Sequence, residues 1–149
     1  MNLEERINQD LKAAMKAKDD AAKRGIRAIK QAILLAKTDG KGTEISPEME
    51  LKMVQKLVKQ RQDSLDIYEK QGRDDLAVVE REEIEILRRY LPKQLSEAEL
   101  ESEISAIIGE TGASSMKDMG RVMGAANQKL RGKADGKTIS LVVKRLLSQ

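Results

Sequence analysis

The stretch "PEMELKMVQKLVKQRQDSLDIYEKQGRDDLAVVEREEIEILRRYLP", residues 47–92, decides the architecture. Ser46 followed by Pro47 is a strong helix start, the hydroxyl serving as cap and the proline occupying the first helical position. Leu51, Val54, Val58, Arg61, Leu65 and Tyr68 then recur at intervals of three and four, the seam of a coiled-coil-like pair, until Gly72 ends the helix. Leu76, Val79, Glu83, Ile86 and Tyr90 continue the pattern on a second helix closed by Pro92. With "GRDD" as a tight turn, antiparallel pairing sets Tyr68 against Leu76, Leu65 against Val79, Val58 against Ile86 and Val54 against Tyr90. The single polar residue of each seam, Arg61 and Glu83, then faces the other, predicting an interhelical ion pair that sets the register. Glu80, Glu82, Glu83 and Glu85 are not read as a metal site, because carboxylates so spaced on one helix point in different directions.

Working outward, Asn2 and Glu5 have capping-box form, and Leu3, Ile7, Leu11, Ala14 and Met15 predict a helix to about Lys18. Asp19 or Asp20 caps a second helix with the apolar stripe Ala22, Ile26, Ile29 and Ile33, a basic side of Lys23, Arg24, Arg27 and Lys30, and a break at "TDGKG" from Thr38. Downstream, "LSEAEL" supplies a capping box from Ser96 and Glu99 and a hydrophobic staple from Leu95 and Leu100. Three short helices are expected over 96–109, 115–130 and 136–147, with Ser114 and Ser115 as caps. The expected fold is all-α: an amino-terminal four-helix domain over residues 1–93 containing the long antiparallel hairpin, and a small three-helix carboxy-terminal domain over 94–149.

Composition narrows the chemistry. The 149 residues include no Cys, His, Trp or Phe, so disulfides, thiolate nucleophiles and imidazole bases are excluded, as are most zinc and haem ligations. No catalytic residue, metal site or cofactor is expected. The longest apolar run, Ala32 to Ala36, is far below the ~18 residues of a membrane span. With a polar, acidic start in "MNLEERINQD", this predicts a cytoplasmic protein without a membrane partner.

Charge is unevenly placed. Residues 96–110 hold five acids and no base, whereas 111–149 hold eight bases and two acids, a basic density that fits a polyanion as well as a solvated face. Met116, Met119, Val122, Met123, Ala126 and Leu130 form one arc, expected to be core. Gly120 and Gly124 fall outside it, beside Lys117, Arg121, Gln128 and Arg131. On the last helix Ile139, Val142, Val143 and Leu146 oppose Lys137 and Lys144, and the intervening loop adds Lys129, Gly132, Lys133 and Gly136. Bare backbone beside cations allows close approach of a sugar-phosphate chain, and the lack of aromatics here favours a folded RNA over splayed bases. The alternative is that Gly120 and Gly124 admit a neighbouring helix.

The stretches "KQRQDSLDIYEKQGRDDLAVVEREEIEIL", "RRYLPKQLSEAEL" and "MKDMGRVMGAANQKLRGKADGKTISLVVKRLL" resemble the YqeY family, and the last third is similar to the tail domain of the B subunit of glutamine-dependent aminoacyl-tRNA amidotransferases. The resemblance implies a tRNA-binding accessory of glutamine-dependent amidotransfer or glutaminyl-tRNA synthesis. Taken with the basic face read above, which contributes Arg121 and Lys129, it implies nucleic-acid contacts at Lys117, Gly120, Gly124, Arg131, Gly132, Lys133, Lys137 and Lys144. Its expected partner is tRNA; the alternative is a protein-interaction adaptor for an amidotransferase or aminoacyl-tRNA synthetase, docking through the amino-terminal hairpin and the basic side of the second helix with Arg24, Arg27 and Lys30 as contacts. The family's carbon–nitrogen ligase label, with glutamine as amide donor, has no visible catalytic constellation behind it.

Overall fold

A computed structural model describes residues 1–39 and 44–149. The described residues are all-α: seven α-helices, one 3₁₀ turn and no strand. They form two compact units, Met1–Leu91 and Pro92–Gln149. The "TDGKG" break lies partly outside the described residues.

The first unit consists of α1 (Leu3–Ala17), α2 (Asp20–Thr38), α3 (Pro47–Lys70) and α4 (Asp74–Arg88). Local chemistry sets the starts: Asn2, Asp19 and Ser46 side chains accept from the backbone N–H of Glu5, Ala22 and Met49. Between α3 and α4 the N–H of Gly72 bonds the Glu69 carbonyl and that of Arg73 bonds the Tyr68 carbonyl, with Gly72 at φ +68°. This paired arrangement satisfies the last carbonyls of α3 and reverses the chain. The α1 terminus closes in the same way on Lys18, at φ +55° without the freedom of glycine.

The hairpin forms with the expected ion pair, Arg61 Nε to Glu83 Oε2 at 3.4 Å. Val54, Leu65, Ile86 and Tyr90 of the seam are buried as expected, but the position at Val79 departs. Val79 is 37% exposed, while Ala77, Ile84 and Leu87 are buried. The cause is that α4 packs against α2 as well as α3, so its buried arc serves two helices and is rotated from a two-helix seam. Ile7, Ile26, Ile29, Val54, Ile86 and Leu87 lie in the main core; Leu65, Ala77 and Ile84 form a second cluster toward the hairpin turn.

Gly25 allows this packing. A Cβ built there would lie 2.7 Å from Ile86 Cγ2 and 2.9 Å from Ile86 Cβ, closer than packed atoms tolerate. It is the described glycine of the first unit at which a neighbouring helix comes near.

The second unit consists of α5 (Glu97–Thr111), the 3₁₀ turn Met116–Asp118, α6 (Met119–Lys129) and α7 (Gly136–Leu147). Ser96 and Glu99 form the reciprocal capping box at α5. The helix expected from residue 115 is broken because Asp118 Oδ2 accepts the N–H groups of Ser114 and Ser115, while Ser115 Oγ accepts from the Lys117 N–H. Met116, expected in the core, is consequently exposed on that turn. The core is Leu100, Ile104, Ile107, Val122, Ala126, Leu130, Ile139, Val142, Val143 and Leu147, with Leu95 packed against it.

Candidate functional site

The basic surface of the second unit is built by the 3₁₀ turn, α6, the 130–135 loop and α7. Val122, Ala126 and Leu130 turn inward and fix the rotation of α6, leaving Gly120, Arg121 and Gly124 exposed. Lys117, Lys129, Arg131, Lys133, Lys137 and Lys144 are exposed as well. Nothing lies within 4 Å of a Cβ built at Gly120 or Gly124, so no helix of this unit exploits the missing side chains.

Two expected contact residues are engaged by carboxylates of the same unit. Arg121 pairs with Asp118 at 3.2 Å and Lys129 with Glu110 at 3.7 Å. The Asp118 carboxyl is held below the usual carboxylate range by the N–H bonds from Ser114 and Ser115, with Arg121 adding to the effect. Gly132 is buried, with φ +77°, and its carbonyl accepts from Gln94 Nε2 at 2.7 Å while the Lys133 carbonyl accepts from the Leu95 N–H at 2.9 Å. That glycine builds the loop and ties it to the entry of α5; it does not face solvent. Lys117, Lys133, Lys137 and Lys144 form no ion pair among the described residues.

A second charged cluster lies within the first unit, where sequence reading found only half of it. Arg24, expected as a docking contact, is occupied: its NH2 reaches Glu82 Oε2 at 2.9 Å and its Nε lies 3.5 Å from Glu83 Oε1. Glu83 is therefore shared by Arg24 and Arg61 and is only 14% exposed, Arg61 19%. Glu80 has Oε2 buried without a hydrogen bond. Burial raises its pKa, the neighbouring Glu83 carboxylate adds to this, and Arg61 opposes it.

A third feature escaped the sequence reading. The Tyr90 hydroxyl donates to Asp10 Oδ2 at 2.5 Å, the Arg6 guanidinium lies 4.7 Å from the Tyr90 ring centre, and Arg6 NH2 donates to the Arg89 carbonyl at 2.9 Å. This network binds α1 to the end of α4. It consists of satisfied partners and is structural.

Comparison with known proteins corrects the functional expectation. A protein of Lachancea thermotolerans named Altered inheritance of mitochondria protein 41, mitochondrial, is 36% identical over 106 residues, covering 70% of this chain and 57% of that protein. Proteins of the same name from Clavispora lusitaniae and Vanderwaltozyma polyspora are 36% identical over 106 residues and 38% over 85, with coverage of 70% and 57% of this chain and 61% and 46% of theirs. The chain spans about half the length of these curated relatives. They are named for inheritance of mitochondria, not for tRNA. The reading as a tRNA-binding accessory of amidotransfer or glutaminyl-tRNA synthesis, with its adaptor and ligase alternatives, is overturned. Charge and glycine spacing describe a surface that tolerates anions, and such a surface does not identify its ligand. The cytoplasmic expectation is overturned with it, since these relatives are named as mitochondrial and the polarity of ten residues does not encode a compartment. A family described as Yqey-like protein matches residues 4–147 of the 149, and the chain belongs to that family.

Proposed function

We propose that this chain serves the role for which its relatives are named, in the inheritance of mitochondria, and serves it as a binding protein. Its contact is the outward face of α6, with Gly120 and Gly124 as the line of closest approach and Lys117, Lys133, Lys137 and Lys144 drawing acidic groups of the partner. The observation that carries this reading is the open space at Gly120 and Gly124. A glycine within a helix costs about 1 kcal/mol relative to alanine, and no neighbour inside the unit uses the missing Cβ. A sequence that keeps both is consistent with an approach from outside.

The test is replacement in a Lachancea thermotolerans strain lacking its relative. The chain, expressed behind a mitochondrial leader, restores inheritance of mitochondria, and Gly120→Gln/Gly124→Gln, which adds helix-compatible bulk to the face, does not. Failure of the unaltered chain overturns the role; full restoration by the double variant overturns the α6 face.

A further inference from the structure

The outward face of α2 is a second surface, independent of the reading above. Ala22, Gly25, Ile26, Ile29 and Ile33 turn inward, and Arg27, Lys30, Leu34 and Leu35 are exposed on the opposite side. Arg27, Lys30 and Leu34 follow at intervals of three and four, so they form one stripe, with Leu35 beside it. The other cations of the helix are occupied: Lys23 by Asp20 at 2.9 Å, Arg24 by Glu82 and Glu83, Lys37 by Glu4 at 2.7 Å. Arg27 and Lys30 form no ion pair among the described residues. Past Asp20 the helix carries no acid.

Leu34 and Leu35 are 60% and 61% exposed in a single turn. Scattered exposed leucines are ordinary; an adjacent pair continuing a cationic stripe describes a two-part contact.

We propose that this face is the docking site for an acidic amphipathic helix of a partner protein, its carboxylates opposite Arg27 and Lys30 and its apolar side chains on Leu34 and Leu35. Charge complementarity with Arg27 and Lys30 selects acids at that end, and Leu34 and Leu35 select apolar side chains at the other. An anionic bilayer fits less well, because two cations without an ion pair among the described residues and two leucines fall short of the polybasic patch or second anchor that stable membrane attachment needs.

The probe is a synthetic 18-residue amphipathic peptide with glutamates in its first two turns and leucines in the next two, titrated against the full chain by fluorescence anisotropy. Leu34→Ser/Leu35→Ser and Arg27→Glu/Lys30→Glu each weaken binding at least tenfold, and a peptide with lysine in place of each glutamate binds Arg27→Glu/Lys30→Glu better than the unaltered chain. Circular dichroism establishes that these surface variants remain folded. The inference is overturned if the peptide fails to bind at millimolar concentration, or if the variants bind it like the unaltered chain. It is also overturned if vesicles containing one quarter anionic phospholipid, or a second copy of the chain in sedimentation, engage these residues while the peptide does not.

Discussion

Arg61 Nε lies 3.4 Å from Glu83 Oε2 across the hairpin, both side chains less than one fifth exposed. Glu83 also lies 3.5 Å from Arg24, so one carboxylate balances cations from two other helices. Removing a shared anion leaves two guanidiniums crowded and partly desolvated. Glu83→Ala is expected to cost about 1–3 kcal/mol, less than a fully buried pair because solvent reaches this one. The double replacement Arg61→Met/Glu83→Leu should cost less than the two single changes added together. Urea denaturation of the four proteins checks this, and additive costs would show that the pair is not coupled.

This pairing was legible in the sequence because a seam with one polar residue per helix leaves a single register in which both are matched. The caps at Asn2, Asp19, Ser46 and Ser96 were legible for an equally local reason: each side chain bonds a backbone N–H three residues on. Arg24 was not, since periodicity along α2 does not say which helix meets its basic side. Val79 was misplaced for a related reason, the arc of α4 being set by two neighbours at once. At the candidate surface, the exposure of Gly120 and Gly124 follows from their position outside the apolar arc of α6. What meets them does not follow, because cations and bare backbone are compatible with many anionic partners.

Gly25 lies in the apolar stripe of α2, between Ala22 and Ile29, and α4 rests on it. Gly25→Ala would force its methyl against Ile86 and is expected to destabilise the chain by about 1–3 kcal/mol, despite the better helix propensity of alanine. Ile86→Leu removes the β-branch that the methyl meets at 2.7 Å, so the double variant should recover part of the loss. A stability gain in Gly25→Ala would refute the close approach.

Tyr90 should govern the alkaline limit of the first unit. Its phenol is held above the ordinary value of 10.0, first by burial and then by the hydrogen bond to Asp10 and that carboxylate's charge. The folded state therefore disfavours the phenolate. The associated stability is fully present below the unfolded pKa of about 10 and is lost as pH rises above it toward the folded value. Tyr90→Phe should lower stability at pH 7 by about 1 kcal/mol through loss of the Asp10 bond, and should also flatten the decline above pH 10. Chemical denaturation between pH 7 and 11 measures both. A slope unchanged by the substitution would assign the alkaline loss to other groups.

Gly124 and Gly25 predict opposite signs for the same substitution. Gly124 is the sixth residue of α6 and faces open space, so Gly124→Ala gains helix propensity without a clash. The expected stabilisation is about 0.5–1 kcal/mol, and less for Gly120→Ala, which lies in the first turn where fewer backbone bonds depend on it. For a unit of this size each kcal/mol corresponds to a rise of about 4–8 °C in Tm. If the α6 face serves a partner, Gly120→Ala/Gly124→Ala should be more stable by thermal scan yet bind less tightly, because two methyl groups hold the partner's surface away. A double variant that is less stable would mean that something inside the protein occupies those positions. One that is more stable and binds unchanged would leave the glycines without a role in contact.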